Sequence, residues 1–271
     1  MAPLAPVTVA PAAGSASLLA LEAFERLSSS SPGALPYSIL REWTGDFAEV
    51  GPADGPFGRI GQGAFGDVFK GLAVPPAATA TAGIRAVRLA VKRMDTKVFQ
   101  LNDAGGSRDA FTASFRREIN VLSRFHNPHI VRLLGFSEPC LERKEPPCLV
   151  YELLALGSLA SQLRDSAKAE LMPWQIRLDI LVQIAMAINY LHCHNPGYPA
   201  FHRDIKADNI ALSEDYTAKL IDCGYETLTT SIVILTLTLT LTLSAMCHSL
   251  SKYIAEDGQG RSIHSATGGR Y

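Results

Sequence analysis

Three glycines and the residues directly after them constrain the fold most tightly. Gly61, Gly63 and Gly66 stand in G-x-G-x-x-G spacing within "RIGQGAFGDVFKGLAV". A dinucleotide-binding unit needs a helix directly after such a loop. Here Val68 and Phe69 continue a strand-like alternation, so the glycines form the tip of a hairpin. At such a tip they either serve only the turn or let backbone N–H groups come close to a phosphate, and the motif alone does not separate the two.

The remainder of the chain changes character once. "RLAVKRM" reads as a short apolar strand. "RDAFTASFRREINVLSRF" is helical, because Phe111, Phe115, Ile119, Leu122 and Phe125 recur at three and four and share a face. "HIVRLLGF" and "CLVYELL" are two more strands joined by a polar loop through Glu145, Pro146 and Pro147. Past Gly157 the period becomes helical. "PWQIRLDILVQIAMAINYLH" opens on Pro173, acceptable in a first turn, and Ile180, Ile184, Ile188 and Leu191 mark its buried face. A strand-rich lobe with one helix thus precedes a helical lobe. This is an α+β, two-lobe layout with a cleft expected between the lobes.

Composition narrows the function classes. With 271 residues and a net charge of −1, the chain lacks the basic excess and the basic stripe of a nucleic-acid binder. Its five cysteines form no C-x-x-C pair, which points to free thiols in a reducing, cytoplasmic compartment. His192, Cys193 and His194 have a metal-binding composition, but adjacent side chains diverge and no second cluster completes a zinc site. The first 32 residues are biased to Ala, Pro and Ser, which suggests a mobile tail with a short helix at about 16–27. No positive n-region marks a signal peptide.

Polar groups in apolar settings carry the chemistry. Lys92 interrupts a strand that favours Val, so it is either at an edge with its amine in water or paired. Glu118 lies mid-helix on the flank of the apolar stripe, where it can meet Lys92. In "HRDIKADN", Asp204 can take a hydroxyl proton and Lys206 can neutralise a transferring phosphate. Asn209 and Asp222 of "IDCG" offer hard oxygen ligands suited to magnesium.

The ordered set "IGQGAFGDV", "LAVK", Glu118, "HRDIKADN" and "DCG" resembles a eukaryotic protein kinase domain over about residues 60–224. The resemblance implies a protein-kinase-like two-lobe fold using ATP and Mg2+. Gly61, Gly63 and Gly66 would cover the phosphates, while Ile60, Val68 and Ala90 would wall the nucleotide. "YELL" would be the interlobe hinge, with Glu152 and Leu154 at the adenine. Lys92 would bind the α/β-phosphates, held by Glu118, and Asp204 would orient the substrate hydroxyl. Asn209 and Asp222 would hold the metal. "GSL" after the hinge, "YLH" and "HIVRLLGF" resemble the receptor-like, Pelle and interleukin-receptor-associated class, as do Tyr37-Ser38, Thr44 and Phe47 ahead of the domain. Lys206 is the serine/threonine-kinase choice. A protein substrate and an upstream receptor or adaptor are the implied partners.

Two departures leave a catalytically impaired pseudokinase or nucleotide-binding scaffold as the alternative. Cys223 stands where the family has Phe, and no A-P-E follows Gly224. The implied partition is a tail over 1–32, a lead-in over 33–56, an N-lobe over 57–154, a partial C-lobe over 155–225 and an atypical Leu/Thr-repeat tail over 226–271. Residues 227–247 carry no charge and are about long enough to span a bilayer, but the alternating Thr and the lack of a basic flank argue against membrane attachment.

Overall fold

Alternation along "CLVY" explains how the first lobe is layered. In the computed structural model, which describes residues 15–27, 29, 31–51, 55–63, 66–75, 85–94, 107–194, 200–222 and 226–227, this stretch belongs to a six-stranded sheet. Its strands are β1 (Gly33–Ala34), β2 (Gly58–Gly63), β3 (Gly66–Ala73), β4 (Val87–Met94), β5 (Leu133–Ser137) and β6 (Cys148–Glu152), in the order β1-β5-β6-β4-β3-β2. All neighbours are antiparallel except β1 with β5. Both faces of the sheet are covered, so β6 reads as a continuous apolar run. Cys148 and Val150 enter one core, while Leu149 and Tyr151 enter the other.

The outer core is built by the region ahead of the glycine hairpin. Helices α1 (Ser15–Leu27) and α2 (Tyr37–Trp43) bury Phe24, Leu27, Leu40 and Trp43 with Phe69, Leu89, Val91 and Val150 of the sheet. Within the segment expected as a mobile tail, Ser15–Leu27 is therefore a packed helix. Composition gave the bias, but burial of Ala23, Phe24 and Leu27 supplies the stabilisation that a polar tail lacks. After α2, Gly45, Asp46 and Phe47 are consecutive left-handed residues at φ 61°, 59° and 56°. This costly reversal is held by Thr44, whose hydroxyl donates to the Leu40 carbonyl at 2.7 Å and accepts from the Phe47 N–H at 3.1 Å. Phe47 meets Phe69 edge-on at 5.4 Å, and the Arg93 guanidinium lies 4.6 Å from the Phe47 ring centre and 4.8 Å from that of Phe69.

The inner core faces helix α3 (Ser107–Leu122). Phe115 and Leu122 are buried there, with Ile119 and Phe125 packed alongside, as their spacing requires. The side chain of Phe111 lies outside the described residues. On β4, Ala90, Lys92 and Met94 occupy this inner face while Leu89 and Val91 occupy the outer one. Cys140 and Cys148 are free thiols rather than a disulfide.

The second lobe contains β7 (Gly157–Ser158), α4 (Leu159–Arg164), α5 (Ser166–Glu170), α6 (Trp174–Cys193), β8 (Ala200–Phe201), a 3-10 turn (Ala207–Asn209), β9 (Ile210–Leu212), β10 (Ala218–Leu220) and β11 (Glu226–Thr227). Side-chain caps start two of its helices. Ser158 Oγ accepts from the Ser161 N–H at 3.1 Å, and Asp165 Oδ1 accepts from the Ala167 N–H at 3.1 Å. On α6, Ile180, Ile184, Ala187 and Leu191 are buried and face the strands, and Ile188 is half-buried. Helix α6 is long and apolar enough to cross a membrane by length and composition; it buries this one face and leaves Leu178, Val182 and Met186 exposed.

The short strand β10 and the two residues after it join most of these pieces. Ala218 N–H donates to Gln183 Oε1 of α6 at 2.7 Å. Leu220 pairs with the segment between α3 and β5, donating to the His129 carbonyl and accepting from the Val131 N–H, each at 2.9 Å. Ile221 N–H donates to the Asn209 carbonyl at 3.0 Å.

Candidate active site

β4 brings Lys92 to the inner face of the sheet, where it is 9% exposed. Its ammonium donates to Asp222 Oδ1 at 2.7 Å and lies 3.6 Å from Glu118 Oε1. Lys92 is therefore paired, and the solvent-facing alternative fails. Burial works against its charge, but Glu118 and Asp222 outweigh burial and raise its pKa above the ordinary lysine value. A lysine so held stays an ammonium at all physiological pH. Glu118 is itself fixed by Tyr151, whose hydroxyl donates to the same Glu118 Oε1 at 2.5 Å.

The loop between β8 and β9 supplies the second cluster. Asp204 Oδ2 accepts from Lys206 Nζ at 2.6 Å and from Asn209 Nδ2 at 2.8 Å. The hydrogen bond from Lys206, with that from Asn209, holds its carboxyl below the usual range, so it stays ionised. Asn209 also donates to the Asp204 main-chain carbonyl at 2.9 Å and is buried. With its amide nitrogen committed, its side-chain oxygen is the atom available as a ligand.

His202 stitches the two clusters together. Its Nε2 lies 3.0 Å from the Ile221 carbonyl, and its Nδ1 is 3.4 Å from the Asp204 N–H. The geometry assigns the proton to Nε2, with Nδ1 accepting. Burial holds its pKa below the ordinary histidine value, so the ring is neutral. Two non-glycine residues flanking this bridge, Arg203 at φ 64° and Asp222 at φ 54°, occupy the left-handed region. Each such residue costs about 1–2 kcal/mol, and the two stand where the chain delivers Asp204 to Lys206 and Asn209 and Asp222 to Lys92.

The glycine hairpin and the hinge carry the remaining expected residues. Gly61 pairs with Val68 and Gly63 with Gly66, as a hairpin tip requires. A side chain on Gly66, at φ 138°, would collide with the Arg93 carbonyl and lie 2.8 Å from Met94 Cα, so the fold itself demands glycine. At Gly61 an added Cβ would meet only Val68, at 3.7 Å, an ordinary contact. Nothing among the described residues explains why Gly61 lacks a side chain. Val68 is opposite Lys92 and Ala90 is opposite Tyr151 in the sheet, and Ile60 is half in solvent. Glu152 ends β6, and Leu154 is buried where the chain crosses between lobes.

Among the expected residues, Lys92, Glu118 and Asp222 thus form one cluster and Asp204, Lys206 and Asn209 a second, linked through His202 and Ile221. The pairing of Tyr151 with Glu118, the bridging by His202 and the left-handed backbones of Arg203 and Asp222 are not legible as local pattern in the sequence. Strand alternation does place Tyr151 on the Lys92 face. Cys223 lies outside the described residues, as does the segment 228–247 of the membrane expectation.

Comparison with known proteins agrees with the geometry. The chain is 37% identical over 165 residues to Wall-associated receptor kinase-like 4 of Arabidopsis thaliana, covering 61% of this chain and 18% of the relative. It is 37% identical over 170 residues to Serine/threonine-protein kinase BIK1 of the same plant, covering 62% of this chain and 39% of the relative. Cysteine-rich receptor-like protein kinase 4, also from Arabidopsis thaliana, is 36% identical over 182 residues, covering 66% of this chain and 23% of the relative. The chain thus spans well under half the length of these relatives. A family model described as protein tyrosine and serine/threonine kinase matches residues 57–232. With that match over well more than half of its residues, and with receptor-like kinases among its relatives, the chain belongs to the protein kinase family.

Proposed function

We propose that this chain is a serine/threonine protein kinase module that transfers the γ-phosphoryl group of ATP to a protein hydroxyl in signalling. The carrying observation is that Lys92, Glu118 and Asp222 form one buried-to-exposed chain of charges while Asp204 and Asn209 are tied to the same strand through His202 and Ile221. The donor set fits the implied groups. Asp222, whose side chain is 53% exposed, and the Asn209 oxygen are hard ligands for Mg2+. The unexplained openness at Gly61 suits a phosphate approached by backbone N–H groups.

The residues then divide the work. Lys92 presents a fixed positive charge to the α/β-phosphates, held from behind by Glu118 and Tyr151. The hinge at Glu152 and Leu154 offers backbone groups to the adenine, walled by Ile60, Val68 and Ala90. Asp204, ionised, accepts a hydrogen bond from the substrate hydroxyl and aligns its oxygen for attack. Lys206, already beside Asp204, supplies positive charge where the transferred group gains negative charge. Bound Mg2+ supplies charge neutralisation across the phosphates. In the transfer, an oxygen–phosphorus bond to the acceptor forms as the β–γ bridging bond breaks, the hydroxyl proton passes to Asp204, and ADP leaves with the electron pair. A protein substrate and an upstream receptor or adaptor complete the reading, and receptor-like kinases among the relatives support it.

The test is phosphotransfer from radiolabelled ATP to a mixed-residue peptide library, followed by phosphoamino-acid analysis. Asp204→Ala and Asp222→Ala are each expected to reduce transfer by at least about a hundredfold, with label on Ser and Thr. Retention of most activity by Asp222→Ala, or label mainly on Tyr, would contradict the assignment.

A further inference from the structure

Lys219 reaches across the boundary between the lobes. It is the middle residue of β10, with Ala218 and Leu220 fully buried on either side. Its ammonium donates to both carboxylate oxygens of Glu152, at 2.7 and 2.9 Å. Glu152 Oε1 also accepts from the Arg132 N–H at 2.8 Å, while the Glu152 N–H donates to the Arg132 carbonyl at 3.2 Å. One carboxylate at the end of β6 is thus held from the opposite lobe and from the start of β5 together.

Burial decides how much this contact matters. The two side chains are 17% and 28% exposed, whereas a second pair between the lobes, Arg88 with Glu214, is 52% and 56% exposed. Solvent and salt screen the exposed pair to almost nothing, and the shielded pair keeps most of its effect. Beyond Glu152 the backbone leaves the sheet. Leu153 N–H makes a long bond of 3.4 Å to the Arg88 carbonyl, and the next firm anchor is Leu156 N–H to the Leu212 carbonyl at 3.0 Å. The crossing is therefore pinned at one end by the Glu152 carboxylate and at the other by β9. Three residues along from Lys219 stands Asp222.

We infer that Lys219 is a positioning residue: through Glu152 it fixes the orientation of the hinge backbone at residues 152–154 relative to Asp222, and so sets the spacing between the base site and the metal-side carboxylate. Planar recognition by backbone groups depends on such prior orientation, and a misplacement of about 1 Å is enough to be felt. The ligand half of this inference rests on the phosphotransfer reading; the hinge half does not.

Two measurements on the purified full chain test it, with folding checked by far-UV circular dichroism. The first is hydrogen exchange of the amides of residues 152–157 without nucleotide. Lys219→Met and Glu152→Gln are each expected to exchange about fivefold faster, the factor for roughly 1 kcal/mol, and Lys219→Arg to stay close to the unsubstituted chain. Unchanged exchange in Lys219→Met overturns the inference. The second is titration with a fluorescent ADP analogue and magnesium, where Lys219→Met is expected to weaken binding about fivefold. Faster exchange with unchanged affinity would make the contact structural only and would also overturn it. If the unsubstituted chain binds no nucleotide, the phosphotransfer reading fails, and the exchange measurement still decides whether Lys219 fixes the hinge.

Discussion

Gly61 and Gly66 stand five residues apart in one motif, yet replacing each by alanine is expected to change stability in opposite directions. Gly66 has φ 138°, and its added Cβ would collide with the Arg93 carbonyl and sit 2.8 Å from Met94 Cα. The neighbouring atoms are backbone of the paired strand β4, so they cannot swing aside. The unfavourable dihedral costs about 1–3 kcal/mol, and forcing atoms into packed backbone costs about 1–3 kcal/mol more, for a loss of roughly 2–6 kcal/mol in all. Gly61 has an ordinary contact with Val68 and no positive φ. There, alanine only restricts the unfolded chain and stabilises by about 0.4–1 kcal/mol. In a domain of this size, 1 kcal/mol moves the melting temperature by about 2–4 °C. Differential scanning fluorimetry should therefore place Gly66→Ala well below the unsubstituted chain and Gly61→Ala at or slightly above it. Under titration with ADP and magnesium, Gly61→Ala should bind more weakly despite its stability. Equal melting temperatures for the two variants would refute the steric argument. Undiminished nucleotide binding by Gly61→Ala would refute the claim that its openness serves a phosphate.

Two further outcomes depend on single side chains. Tyr151→Phe removes a hydroxyl that donates to the Glu118 carboxylate at 2.5 Å. Unfolding in urea should show a loss of about 1.5–3 kcal/mol, and a loss indistinguishable from zero would mean that Glu118 is held by Lys92 alone. His202 is held neutral, its pKa lowered by burial, so between its ordinary pKa and its folded pKa the unfolded chain binds more protons. Its contribution to stability is complete above about pH 6.5 and is lost as pH falls from there, by at most about 1.4 kcal/mol per pH unit. Melting curves of His202→Gln should be flatter than those of the unsubstituted chain just below pH 6.5; parallel curves would sink the assignment.

Much of this site is legible in the sequence because its residues break local patterns. Lys92 interrupts an apolar strand, Glu118 flanks an apolar stripe, and Asp204 and Asn209 alternate with apolar neighbours. What stays hidden depends on approach between distant segments. Lys92 and Asp222 are 130 residues apart, and nothing local in "IDCG" says that Asp222 takes a left-handed backbone to reach the lysine. The same holds for Lys219 and Glu152, separated by 67 residues, where each side chain looks like an ordinary surface charge until β6 and β10 are set side by side. For α1 the short helix is legible at about 16–27, and what stays hidden is its docking. Its composition favours disorder, and only the apolar outer face of the sheet gives Phe24 and Leu27 somewhere to be buried. Local propensity is a weak guide when a partner surface supplies the driving force.

The unit that is similar to kinases and the unit that folds do not coincide. The match to the family model begins at residue 57, but the outer face of the six-stranded sheet is covered by residues from α1, α2 and the turn that seats Phe47. A protein cut at residue 57 would present Phe69, Leu89, Val91 and Val150 to water as one continuous oily surface. Patches of that kind drive self-association rather than remaining dry and inert. Arg93 would lose one of its two ring partners and keep only Phe69. It lies next to Lys92 on β4, so the lead-in sits one residue away from the amine that faces the cleft. In physical terms the packed unit reaches back at least to α1, and whatever pulls on or modifies the region ahead of the glycine hairpin acts on the sheet that carries Lys92.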